Sequence, residues 1–470
     1  MEDEKELNVT EALNLAVKHH LNGNLTEAES IYRKIIEKNP QNSNILADAF
    51  NLLGAVECQY EKYDEAIKNI QKAVKLNPNH AVYYGNLATA YNLLGNDNKA
   101  EENFKRALEL DARYPGAYLA YYNLGIFAEA NGNIPGALQH YEKSIDLDRN
   151  FPDAHWNRSL ILLLLGKYDE GWKEYEYRFK KKQPSDKRIF NKPKWYGSLL
   201  NGKKILVISE QGFGDNIQFI RYLPLIKEKG GEIILECKKE IEKLFKDSFE
   251  IDKIIEKNID VVPKIEFDVY VHLMDLPRIF NTNLTNILDN TPYLKTDYTF
   301  VSKFKEKINK ISNGRIKIGI VWSGNPSQEN DKNRSARFED FKYLKKISGM
   351  ILFSLQKGEA AGQLDDTEVI DLSEDINNFA DTAAVIENMD LIISVDTSVA
   401  HLSGAMGKQT FVLLSHKADW RWLLDRKDTP WYKSIRLFRQ KNPGDWNSLF
   451  NEVNEEIKNY VIKQKKDLFN

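Results

Sequence analysis

Apolar positions change period along this chain. From Val9 to Phe179 they recur at helical spacing, and the pattern itself repeats about every 34 residues, the period of a helix-turn-helix solenoid. An alanine opens each second helix, at Ala28, Ala66, Ala100 and Ala137, with Gly171 in the fifth copy. A larger residue follows four positions later at Tyr32, Ile70, Phe104, Tyr141 and Tyr175. Leu53-Gly54, Leu87-Ala88 and Leu124-Gly125 mark the first helices, Gly23, Gly95, Gly132 and Gly166 the turns, and Pro40 and Pro78 the ends of the first two copies. The small residues allow close helix approach and the larger ones fill the space between. Tyr118, Tyr121, Tyr122 and Trp156 read as inter-repeat core before groove lining, and His19, His20, His80, His140 and His155 as surface or packing residues.

Beyond Lys180 the helical period stops. Lys180 to Lys203, with a run of three lysines at its start, Pro184 and Pro193, reads as a solvated connector, whose end PKWYGSLLNGKK is expected to pack through Trp195 and Leu199. Short β-branched runs then alternate with helical stretches, the mark of a parallel sheet with helices on its faces. Strands are expected at Lys204 to Ser209, Glu232 to Cys237, Lys253 to Ile255 and Asp268 to His272. A charged helix, Ser302 to Ile311, leads to a second series: Ile316 to Trp322, Met350 to Leu355, Val369 to Leu372, Leu391 to Val395, Thr410 to Leu414 and Ile435 to Phe438. Helices are expected at Phe338 to Ile347, Ala380 to Asn388 and Val399 to Met406. The boundaries are 1–180 for about five repeats, 181–203 for the connector, 204–300 for one α/β unit and 301–470 for another, the last two being doubly wound, Rossmann-like domains in tandem.

Composition narrows the function classes. With 470 residues, 66 basic and 69 acidic side chains, the formal charge is -3, so no global field favours nucleic acid or an acidic membrane. Cys58 and Cys237 show neither disulfide nor zinc spacing, which fits a reducing cytoplasm. The start, MEDEKELNVT, has no signal-peptide pattern, and Leu160 to Leu165 is too short to span a bilayer. No transmembrane segment, nucleic-acid partner, cofactor or obligatory metal is expected.

Ligands of open α/β sheets bind outside the carboxyl ends of the strands, so the chemistry is sought in the loops 210–216, 323–335, 356–363 and 396–399. Asp396-Thr397-Ser398 ends a strand and opens a helix, where free N–H groups and the helix dipole favour an anion, with His401 one turn on. Thr397 or Ser398 as a plain helix cap explains the same residues. Ser323-Gly324-Asn325 is an abrupt turn followed by QENDKNRS with Arg334, and Gln356-Lys357 ends another strand. Fixed cations there, Arg334 and Lys357, would stabilise a departing diphosphate. Glu210-Gln211-Gly212, Gly214 and Asp215 form a strand-to-helix turn facing the same region. Asp215 is the candidate general base, with Glu210 as the competing carboxylate. The turn lacks the third glycine of a dinucleotide fingerprint, and the chain has no P-loop. Trp420, Trp422 and Trp431 read as core before base-stacking residues.

The repeats resemble the tetratricopeptide repeat family. EQGFGDNIQFIRYLP, WSGNPSQENDKNRS, FSLQKG and FADTAAVIENMDLIISVDTSVAHLSGAMG resemble glycosyltransferase family 9, the ADP-heptose heptosyltransferases, over nearly all of Lys194 to Val453. The resemblance implies a GT-B pair of α/β domains and an inverting transferase that moves a sugar from a nucleotide-sugar donor to a hydroxyl of a protein or glycan acceptor. It puts Asp215 at the catalytic position and Lys357, Asp396, Thr397 and His401 on the donor side. Glu210, Gln211, Gly212, Gly214 and Gln218 then form the acceptor side. The layout is similar to protein O-GlcNAc transferases, in which repeats lead the acceptor to the site. Gln218 and Phe219 stand where the heptosyltransferase pattern commonly has a histidine. The alternative is a non-catalytic, repeat-based interaction scaffold with a degenerate transferase domain.

Overall fold

The structure, a computed structural model, describes residues 8–328, 330–365 and 368–469. The acidic start at 1–7 lies outside the described residues. The chain forms two compact units, one ending at Arg158 and the other beginning at Ser159.

The first unit is helical. Its pairs are Val9–Leu21 with Leu25–Lys38, Ser43–Gln59 with Tyr63–Leu76, Ala81–Leu93 with Asp97–Leu110, and Ala117–Ala130 with Ile134–Leu147. The in-phase small residues have the steric role the pattern implies. A Cβ on Gly54 would lie 2.5 Å from Ile70 Cγ1, and one on Gly125 would lie 2.5 Å from Tyr141 Cε1. Ala28, Ala66, Ala100 and Ala137 are fully buried beside Tyr32, Ile70, Phe104 and Tyr141. Tyr118 and Tyr122 are half-buried and meet Phe151 edge to face, centroids 5.1 and 5.0 Å away.

The boundary falls within the helix Pro152–Leu164, and the second unit continues with the rest of it, the helix Tyr168–Glu174 and a tight turn, Tyr175–Phe179. Two wholly parallel sheets follow. The first comprises β1 (Lys204–Ile208), β2 (Glu232–Cys237), β3 (Lys253–Glu256) and β4 (Val269–His272) in the order β3-β2-β1-β4. The second comprises β5 (Ile316–Val321), β6 (Met350–Ser354), β7 (Ile370–Asp371), β8 (Leu391–Val395), β9 (Thr410–Leu414) and β10 (Ile435–Arg439) in the order β10-β9-β8-β5-β6-β7. Ile205 pairs with Ile233 on one side and Val269 on the other, and Ile318 with Leu352 and Leu391. The winding reverses beside β1 and β5, so the loops after these strands open at crevices. β6, β8 and β9 are buried along their whole length, which accounts for their near-continuous apolar sequences.

Several elements depart from expectation. The helix expected over Phe338 to Ile347 is one turn, Phe338–Phe341, and then a 3-10 turn, Leu344–Lys346, while β7 spans two residues. A long C-terminal helix, Trp446–Phe469, puts Leu449, Phe450, Val453, Ile457 and Val461 into the core of the second sheet.

The connector is not simply a solvated linker. Lys180 and Lys182 are exposed, but Trp195 is buried, its N–H donates to Tyr270 O at 2.7 Å, and the segment extends the edge of β4. Leu199 does not pack and stays 64% exposed. Arg178 and Arg188, flanking the lysines, are buried ion-pair anchors. Arg178 donates to Glu210 at 2.7 and 3.0 Å and to Asp275 at 2.8 Å. Arg188 donates to Glu236 at 2.7 and 2.8 Å and also to Asp186. These pairs occupy the carboxyl edge of the first sheet.

Candidate active site

Within the second unit, the strand ends of both sheets surround a cleft of about 800 Å³. Gln211, Gly212, Gly214 and Asp215 line it from the first sheet. From the second come Ser323, Gly324, Asn325, Arg334, Gln356, Lys357, Asp396, Thr397, Ser398 and His401. Glu210 and Gln218 are outside this lining: Glu210 is held by Arg178, and Gln218 is fully buried behind the turn.

The short helix Phe213–Phe219 carries Asp215 in its first turn, where Oδ2 accepts the Gly212 N–H at 2.8 Å. The other oxygen, Oδ1, pairs with the Arg421 guanidinium. The side chain is 16% exposed. Burial pushes its carboxyl above the ordinary aspartate range, against the pull of the Arg421 charge and the Gly212 N–H. Gln211 takes a left-handed backbone, φ 59°, with its amide donating to the Tyr175 hydroxyl at 2.9 Å.

The facing wall is suited to an anion. Helix Ser398–Ala405 begins at Thr397, which is extended and makes no side-chain cap, because its hydroxyl meets Ser394 Oγ at 2.9 Å. The neighbouring helix, Phe379–Glu387, is capped by Asn378, which accepts from Ala380 N at 2.8 Å. Ala400 N–H turns back on Thr397 O at 3.1 Å, while the first two N–H groups, of Ser398 and Val399, gain no side-chain cap and stand at the cleft with the positive end of the helix dipole. Arg334 is held by one nitrogen, Nε, on Asp331 at 3.1 Å, and its guanidinium lies against Gly324, where a Cβ would come within 2.5 Å of it. Gly324 and Ser335 complete the turn, the Gly324 N–H donating to Ser335 Oγ at 3.0 Å.

Other expected residues brace the wall. The Gln356 amide accepts from Trp322 N and Ser323 N at 3.0 and 2.9 Å and donates to Ser323 O at 3.0 Å, fixing the β5 loop. Lys357 is exposed and donates to Ser373 O at 2.7 Å. His401 is buried, stacked on Trp422 at 5.2 Å with Nδ1 3.0 Å from the Tyr432 hydroxyl. Burial and the nearby arginines hold its pKa well below the usual histidine value, so the ring is neutral at pH 7. A Cβ on Gly214 would lie 2.8 Å from His401 Cδ2, which explains a glycine at that point of the turn. Burial, then the charge of Asp419, push Asp396 up to about 6.

The sequence reading missed Arg421, Asp419, Lys238, Phe213 and Asn378, all of which line the cleft. Arg421 lies between Trp420 and Trp422, whose sequence reads as core, and all three are buried. Among the described residues, no group of three His, Cys, Asp or Glu side chains could hold a metal ion. No helix among them is long and apolar enough to cross a membrane.

The N-terminal region carries tetratricopeptide repeats: a tetratricopeptide repeat family model matches residues 44–113 and a TPR repeat model residues 130–170. An α/β region with parallel sheets follows them. The chain is similar to Protein FlbA of Caulobacter vibrioides, 26% identical over 446 residues, covering 87% of this chain and 72% of that protein. It is also 32% identical over 93 residues to the peroxisomal targeting signal receptor of Yarrowia lipolytica, covering 20% of this chain and 14% of that one. Among solved structures, MamA aligns at TM-score 0.30 and 24% identity, covering 37% of this chain and 90% of that chain.

Proposed function

We propose that the chain is a glycosyltransferase of GT-B type whose cleft takes a nucleotide sugar and transfers the sugar to a hydroxyl of a protein or glycan. The observation that carries the reading is the pairing of two unlike walls in one cleft. One presents an uncapped helix end beside Arg334, and the other a partly exposed carboxylate, Asp215. The donor diphosphate lies against the first wall, where developing charge meets N–H groups and a cation. Asp215 takes the proton of the acceptor hydroxyl. The acceptor oxygen then bonds to the anomeric carbon with inversion as the bond to phosphate breaks and the nucleoside diphosphate leaves. Each Asp215 oxygen uses one lone pair in its present contacts and keeps another for that proton. The repeats hold the acceptor, in keeping with solenoids as concave binding surfaces.

A second reading, a non-catalytic interaction scaffold, draws on the engagement of both Asp215 oxygens and on the Lys357 ammonium being bonded to Ser373. Nucleotide release from UDP-, GDP- and ADP-sugars, followed in wild type and Asp215→Asn, separates the two. The transferase reading expects release from at least one donor and a fall of about a hundredfold or more in the variant. No release and no nucleotide binding would leave the scaffold.

A further inference from the structure

We propose that Arg421 is the positioning residue for Asp215. The inference rests on Asp215 being the base of the proposed reaction. Arg421 follows β9, in the tight turn Trp420–Trp422, and reaches from the second sheet to the helix Phe213–Phe219 of the first. Its three nitrogens go to three different side chains. One pairs with Asp215 Oδ1, Nε donates to Gln218 Oε1 at 2.7 Å, and the remaining terminal nitrogen donates to Asp419 Oδ1 at 2.8 Å. Asp215 and Gln218 are three residues apart on one helix, so they share a face, and a planar guanidinium gripping both fixes that face in position and rotation.

The fork is itself immobilised. Its side chain is 8% exposed, it lies over the Trp420 ring at 4.3 Å, and Asp419 also accepts the Arg421 backbone N–H at 3.0 Å. A lysine in this place would supply the charge at one point and lose the grip on Gln218.

The charged and titratable groups around Asp215 make the arrangement consequential. Asp419 and Glu210 disfavour a second negative charge, Tyr175 faces it from the fifth repeat, and His401, beyond Gly214, is neutral. Against burial and these like charges, Arg421 is the cation that favours the ionised form of the Asp215 carboxyl, the form that a base requires.

The test is a carbon-13 NMR titration of the carboxyl of Asp215 in the full chain, its resonance assigned by loss in Asp215→Asn. Arg421→Gln is expected to raise the midpoint by at least about one pH unit, and Arg421→Lys by less than half as much. Arg421→Met, which keeps the stem packed on Trp420, carries the same expectation as Gln where the Gln variant does not fold. An unchanged midpoint in the Gln or Met variant overturns the assignment. The titration needs no donor, so it stands apart from the transferase reading, which fails on absent turnover instead. Where wild type turns over, the acid limb of its pH profile moves to higher pH in Arg421→Gln and is largely restored in Arg421→Lys, a response that a purely structural role would not produce.

Discussion

The two parallel sheets of the second unit end in opposite ways. At the carboxyl edge of the first, the positions that an α/β fold commonly offers to a ligand are filled by the chain's own arginines, Arg178 on Glu210 and Asp275, and Arg188 on Glu236. At the same edge of the second, the residues are small and polar, and a helix end lacks its side-chain cap. One topology thus gives a sealed edge and an open one. Topology nominates the place where a ligand can bind, and whether the protein supplies its own counter-ions decides whether a ligand is needed there. The first sheet faces the cleft through the turn Gln211 to Asp215 and through Lys238 and Glu240 just after β2.

The largest expected effect concerns the seal. Arg178→Ala leaves two fully buried carboxylates without their shared cation and is expected to destabilise the second unit by about 3–5 kcal/mol in denaturant unfolding. Arg334→Ala, at the open edge, is expected to change stability by about 1 kcal/mol or less, yet to weaken nucleoside diphosphate binding about ten- to a hundredfold. Equal stability losses in the two variants would erase the distinction between the edges.

A smaller effect has opposite signs at the two edges. Burial disfavours ionised Asp275, but Arg178 and Lys194 outweigh it and hold the group well below the ordinary range. Its stabilising contribution is present above about pH 4 and is lost as the pH falls further. Asp396 is raised to about 6, so its contribution falls as the pH climbs from about 4 to about 6. In stability profiles against pH, Asp396→Asn should exceed wild type at pH 7 by about 3 kcal/mol, with the gap closing near pH 4. Asp275→Asn should fall below wild type at pH 7 and converge with it in acid. Matching signs would contradict the assigned environments.

Much of this architecture was legible in the sequence. The repeats declare themselves through in-phase small residues, and most strands through short apolar runs, because a strand buried on both faces tolerates little else. The loops of the cleft followed from the strand ends. The seal was not legible, since Arg178 meets Asp275 across 97 positions and the lysine run beside it reads as solvent-exposed. Arg421 and Asp215 are 206 positions apart, and nothing local marks an arginine between two tryptophans as a partner of a distant aspartate. The C-terminal helix is a different case: Leu449, Val453, Ile457 and Val461 have helical spacing, but an alternation of strands and helices reads as complete at its last strand, so the pattern alone does not tie this helix to the core.

The most direct test of the open edge is calorimetric titration of the full chain with UDP, GDP and ADP at neutral pH, alongside Arg334→Ala. An open, anion-binding edge predicts saturable binding of at least one nucleoside diphosphate, with one site per chain and affinity lost in the variant. Absence of binding by all three, or binding that Arg334→Ala leaves unchanged, would contradict it.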